Sequence, residues 1–137
     1  MKPRIVTLSR ILLVLYLVGV CVLCFGHFDS LPQIHDKILG IERDKVFHFL
    51  MFLPFPLLAY FSLRKEPDGP WKALGEILLL FLAGCIVAAA TEIGQGMIPY
   101  READPKDFLA DGLALAFSSL VVFILMLVRG IRSGRRP

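Results

Sequence analysis

Polar and apolar residues alternate along this chain in blocks rather than in short periods. Residues 11–26 carry no charge, residues 46–63 contain one histidine and no other ionisable side chain except Tyr60, and residues 77–91 and 112–128 are again uncharged. Blocks of about 20 apolar residues have the length that a bilayer core demands of a helix. The pattern therefore predicts four membrane spans, at about residues 8–26, 46–63, 75–99 and 108–128. Between them lie a polar loop from His27 to Lys45, a turn-rich link from Arg64 to Lys72, and a short polar link from Tyr100 to Lys106. The first loop has room for a short interfacial helix near Ile34 to Leu39.

Local signals refine these spans. Pro54 and Pro56 each remove a helix hydrogen bond, so a kink or local break is expected in the second. Trp71 stands where an interfacial aromatic anchor belongs. Gly84, Cys85 and Ala88 to Ala90, followed by Gly94 and Gly96, are small residues that let a neighbouring helix approach closely. Asp104 fits a helix N-cap, Pro105 the first helical position and Asp107 the third, an approximation of a capping box. The tail from Arg129 to Pro137 is basic and reads as disordered. No internal repeat is visible.

Composition agrees with the pattern. The chain has 137 residues, 56% of them hydrophobic and 20% charged, too apolar for an ordinary soluble domain. It has room for a single domain, residues 1–137, and the fold class expected is all-α, an integral membrane four-helix bundle. Lys2, Arg4 and Arg10 ahead of the first apolar block resemble the basic head of a signal peptide, but no Ala-x-Ala site follows, so this block reads as an uncleaved helix. Cys21, Cys24 and Cys85 all lie inside apolar blocks, and Cys21-x-x-Cys24 lacks the second ligand pair of a zinc site. No basic arm with interleaved aromatics suggests nucleic acid. No Gly-rich phosphate loop, H-E-x-x-H or G-x-S-x-G motif is present.

Charge distribution changes the picture more than the net charge of +3. With four spans, ten of the 15 lysines and arginines fall on the side of the two termini and five on the other. The positive-inside rule then predicts both termini in the cytoplasm. The acids are biased the other way. Asp44 to His48 and the stretch from Glu92 to Asp111 would meet at the outer face.

Those two stretches hold the candidate chemistry. An acid within an apolar block costs roughly 2.5–3.5 kcal/mol at the centre of a membrane helix. Glu92 and Asp111 therefore need a protein partner, an ion or a wet cavity. Asp44 and His48 share a helix face with Phe52, and His48 titrates in the range useful for acid, base or ligand roles. Glu92 and Gln95 share another face. Arg101 offers a planar fork for phosphate or carboxylate. Asp107 and Asp111 have the spacing for two carboxylates to share a hard divalent cation, the one cofactor the residues suggest. Each residue also has a structural reading. His48 can be hydrogen-bonded within the bundle, Glu92 can pair with Arg101 or Lys45 as a staple, Asp104 can be only a cap, and Asp107 can answer the helix dipole. A purely structural buried pair brings little net stability, which weakens the staple account.

Asp44-Lys45-x-x-His48-Phe49 opening a second span, Glu92-x-x-Gln95 late in a third, and Arg101 followed by Asp107-x-x-x-Asp111 opening a fourth resemble the VanZ-like family. These are small bacterial inner-membrane proteins named after an accessory protein of glycopeptide resistance that lowers susceptibility to teicoplanin. The resemblance covers roughly Asp44 to Leu125, and the first span matches in kind. Asp111 stands where the family usually has asparagine, and Ala114 where glycine is common. The added negative charge at Asp111 favours a cation or a nearby lysine over neutral hydrogen bonding. The resemblance implies a multi-pass protein of the bacterial inner membrane with a cell-envelope role, antibiotic resistance being one form of it. It implies no particular reaction.

Three readings follow. In the first, the polar cluster binds a lipid or lipid-linked head group, with Asp44, Lys45, Gln95, Arg101 and Asp104 among its contacts. In the second, His48 and Glu92 act as acid and base on such a head group, with a divalent metal at Asp107 and Asp111. In the third, the polar groups only lock the bundle or meet a protein partner.

Overall fold

The computed structural model describes residues 3–26, 37–38, 40–63, 69–99 and 103–134. It is all-helical apart from one minimal hairpin. Helix α1 spans Pro3–Phe25, strands β1 (Lys37–Ile38) and β2 (Ile41–Glu42) follow, then α2 (Arg43–Phe52), α3 (Phe55–Ser62), α4 (Pro70–Gly96) and α5 (Pro105–Gly134). Four stretches are long and apolar enough to cross a membrane: Arg4–Phe25, Arg43–Ser62, Pro70–Gly96 and Pro105–Gly130. The chain thus has the make-up of a multi-pass membrane protein.

The second span is broken where its prolines require. α2 ends as Leu53 N–H donates to the Phe49 carbonyl at 3.1 Å, and α3 starts as Leu58 N–H donates to the Pro54 carbonyl at 3.0 Å. Pro56 then sits in the first turn of α3, where its missing N–H is harmless. Two expected boundaries differ. The helix proposed near Ile34 to Leu39 is a strand over Lys37 and Ile38, and the rest of that stretch lies outside the described residues. β1 and β2 pair antiparallel, Lys37 opposite Glu42 and Ile38 opposite Ile41, across a two-residue link in which Gly40 has φ 84°. Glycine takes that left-handed angle without a Cβ clash. At the other end, α5 runs to Gly134 rather than fraying at Arg129. Basic side chains stop an apolar block but not a helix, since lysine and arginine are good helix formers.

Consecutive spans run in opposite directions. Arg10 Nε donates to the Ser62 carbonyl at 3.0 Å, which ties the start of α1 to the end of α3. The Arg129 guanidinium lies 5.1 Å from the Phe61 ring centroid and 5.9 Å from that of Tyr60. The first half of α1, the end of α3 and Arg129 of α5 therefore share one end of the bundle, and the hairpin, the start of α2, the end of α4 and the start of α5 share the other. Between them, Cys24, Phe52, Leu115 and Val122 are fully buried and form the core with Ala88 and Ala114. Gly84 is where α4 meets α5: a Cβ there would lie 2.5 Å from Leu115 Cδ2. Gly94 gives Phe25 of α1 the same close approach, at 2.7 Å. Leu79, Ile86 and Ile93 face outward and exposed, as a lipid-facing surface requires.

Candidate functional site

Three helix ends converge at the hairpin end. α2 brings Asp44, Lys45 and His48 within its first two turns. α4 brings Glu92 and Gln95 in its last two turns. The start of α5 brings Asp107 and Asp111, preceded by Asp104. As expected, Asp104 starts that helix: its Oδ1 accepts the Lys106 N–H at 2.9 Å, and its carbonyl accepts the Asp107 N–H at 2.9 Å. Asp107 Oδ1 does not close the capping box. Among the described residues it has no hydrogen-bond partner, and it lies 3.5 Å from Lys45 Nζ.

The polar groups form two layers. In the outer one, Lys45 is clamped by carboxylates from two elements. It pairs with Glu42, with Asp104 Oδ2 at 3.1 Å, and with Asp107. The hydrogen bond from Lys45 holds the Glu42 carboxyl below its ordinary range. The Lys106 backbone N–H, helped by Lys45, does the same for Asp104. Glu42 escaped notice in the sequence; an acid three residues ahead of a lysine at a helix start was the available signal.

The inner layer is His48, Asp111 and Glu92. His48 Nδ1 lies 3.1 Å from Asp111 Oδ1, 3.3 Å from Asp111 Oδ2 and 3.5 Å from Glu92 Oε1. Asp111 is completely buried, and the side chains of His48 and Glu92 are 6% and 10% exposed. Both Glu92 oxygens are buried, and among the described residues neither has a hydrogen-bond partner of good geometry, although the Asp104 backbone N–H interacts with the carboxyl. Just beneath, Tyr16 Oη donates to the Met51 carbonyl at 2.7 Å and joins α1 to the α2–α3 break.

Several expected roles change here. Asp107 and Asp111 do not join in one donor group. Asp111 groups with His48 and Glu92, and Asp107 with His48 and Asp44. A separation of four residues puts two side chains on one face but about 6 Å apart along it, so each meets a different layer. Gln95 is not turned to a ligand through its amide nitrogen: Nε2 donates to the Cys24 carbonyl at 3.2 Å and secures the end of α1. The Glu92–Lys45 staple does not form, because Lys45 lies in the outer layer. Asp44 is exposed at the rim. Arg101 lies outside the described residues. None of the three cysteines forms a disulfide, and buried Cys24 lies against Met51 Sδ, 3.9 Å away, as an apolar packing role predicts.

Chemically, the inner layer offers one imidazole nitrogen and two carboxylates in a dry setting, and the outer layer offers more acid than base. Such a site attracts a cation, an amine or a proton. In comparisons with protein-family models, curated proteins and solved structures, nothing matches the chain.

Proposed function

We propose that this chain is a VanZ-like protein of the bacterial inner membrane that binds the head group of a lipid or lipid-linked envelope precursor at the outer leaflet. The observation that carries the reading is Glu92. Among the described residues its buried carboxylate has no hydrogen-bond partner of good geometry, although it stands at the meeting point of three helices. A group retained only to lock a bundle would be satisfied, because an unserved buried charge destabilises. A group kept for a ligand need not be. The acids suit an amine or a bound cation on the head group, and Arg101 suits its phosphate. The excess of lysine and arginine on the side of the termini supports a cytoplasmic location for both ends, with the polar site opposite. A glycopeptide-resistance role of the teicoplanin type is one form that head-group capture would take.

An enzyme reading stands second, on one observation: His48 Nδ1 and Glu92 Oε1 are 3.5 Å apart, the arrangement of an acid–base pair. Profiling of lipids and lipid-linked precursors tests both. Cells would overproduce the parent chain, Glu92→Gln or Asp111→Asn at matched membrane levels. A species that accumulates or disappears with the parent alone identifies the head group. Three identical profiles would overturn the proposal and leave the bundle a passive or partner-binding one.

A further inference from the structure

Among the described residues, the inner layer has a deficit that no side chain fills. A histidine nitrogen carries one proton, which points in one direction in the ring plane. At Nδ1 that proton can serve Asp111, 3.1 Å away, but not Glu92 at the same time. Among the described residues, no side chain hydrogen-bonds to the two buried oxygens of Glu92. One ion on the Nδ1 lone pair would serve both carboxylates at once.

The distances fit such an ion. A tetrahedral metal with bonds of about 2.0–2.1 Å holds its ligand atoms about 3.3–3.4 Å apart. Nδ1 lies 3.1 Å and 3.3 Å from the Asp111 oxygens and 3.5 Å from Glu92 Oε1. Donor atoms of all three residues lie within 4.8 Å of one another. Charge fits as well: a neutral imidazole and two carboxylates around a dication sum to zero, which suits a buried site. The other grouping, Asp44 with His48 and Asp107, fits less well. Asp44 is exposed, and Asp107 Oδ1 lies 3.5 Å from the Lys45 ammonium, which repels a metal ion.

We infer that His48 Nδ1, Glu92 and Asp111 hold a divalent transition-metal ion of the zinc or manganese type. An imidazole nitrogen selects such ions over magnesium and calcium, which prefer all-oxygen shells of six or more ligands. Three protein ligands leave a coordination position for water or an incoming oxygen. The ion also resolves a difficulty. Acids repel phosphate, and a dication among them reverses the local sign, so that a phosphate-bearing head group can approach. Only this last step rests on the head-group reading; the ion site itself does not.

The test uses the full chain in detergent micelles and the metals alone. After loading with Zn2+ or Mn2+ and desalting, the parent should retain about one ion per chain and melt at a higher temperature than the chelator-treated protein. Co2+ should give the visible absorption bands of a low-coordinate site with mixed nitrogen and oxygen ligands. Glu92→Gln and Asp111→Asn should each weaken retention on the order of tenfold or more, as expected when a direct ligand is lost. Asp107→Asn should keep the ion. A parent chain that retains no ion, shows no cobalt bands and melts alike with and without metal overturns the inference, whether or not the variants fold. Loss of the ion in Asp107→Asn but not in Glu92→Gln would overturn it too. Metal bound to a chain that leaves the lipid profile unchanged would instead count against the head-group reading and leave the ion in place.

Discussion

Gly84 sets the distance at which α4 passes α5, and through it the geometry of the inner layer. A Cβ at this position would lie 2.5 Å from Leu115 Cδ2, 3.1 Å from Leu115 Cδ1 and 3.0 Å from Phe55 Cδ1. Carbon atoms are comfortable at about 3.5–4.0 Å, so a methyl group needs roughly 1 Å of movement. Leu115 is fully buried and has little room to swing. Overpacking of this kind costs about 1–3 kcal/mol, and three overlaps at one site favour the upper half of that range. Glycine to alanine in a helix returns about 1 kcal/mol. Gly84→Ala should therefore destabilise by about 1–2 kcal/mol. In a Leu115→Ala background two of the three overlaps are gone and the Phe55 ring need give by only a few tenths of an ångström, so the same substitution should be neutral or stabilising by up to about 1 kcal/mol. The coupling between the two sites is then about 1–3 kcal/mol, well above what independent sites show.

The assay is an SDS titration of the parent, both single variants and the double variant. Pulse labelling of the buried Cys24 thiol, in a Cys21→Ala, Cys85→Ala background, reports opening. Because Glu92 lies two turns beyond Gly84, and Asp111 one turn before Leu115, Gly84→Ala should also widen the Glu92–Asp111 gap and weaken metal retention. Equal effects of Gly84→Ala in both backgrounds would refute the reasoning, since they would mean that the two helices do not meet at this residue.

Two further outcomes follow from the polar contacts. The Asp104 carboxyl is held below its ordinary range, first by the Lys106 backbone N–H and then by Lys45, so its contribution is complete above the unfolded value near 3.9 and is lost as pH falls through the lower folded value. Melting temperature should therefore drop at the acidic end, and Asp104→Asn should flatten part of that limb; identical acid limbs in the two proteins would count against it. Gln95→Leu removes the hydrogen bond to the Cys24 carbonyl, at a cost of about 1 kcal/mol, and should speed Cys24 labelling under native conditions. An unchanged labelling rate would mean that this hydrogen bond does not hold the end of α1 in place.

What could be seen in the sequence was set by the length scale of each signal. Four apolar blocks of bilayer length announce four spans, and Pro54 announces the break between α2 and α3 because a missing N–H acts within one turn. Asp104-Pro105 marks the start of α5 for the same local reason. The convergence of His48, Glu92 and Asp111 was also legible, because buried acids must find something to meet. Their partners were not. Spacing places Asp107 and Asp111 on one face, but the rotation of α5 against α2 and α4 decides that Asp107 meets Lys45 while Asp111 meets His48. Gln95 bonds to α1, 71 residues away, and no local pattern carries that information. The start of α1 and both ends of α5 were placed too far inward, because apolar blocks report where lipid would begin, whereas a helix continues as long as its own hydrogen bonds do.

The division into two layers ties fold to function. Near the rim, Lys45 meets Glu42, Asp104 and Asp107, so α2 and α5 are held together at their starts whether or not anything is bound. One turn deeper, His48 faces two carboxylates with one nitrogen, and Glu92 is left unserved. The outer layer positions the helices and so relieves the inner layer of that task. An inner layer not needed for stability would gain from replacing Glu92 with an apolar residue of similar volume, as buried ion pairs often do. Comparing Glu92→Leu with Glu92→Gln separates the two roles: higher stability together with lost metal retention, in both variants, would show that the carboxylate works against the fold and for the ligand.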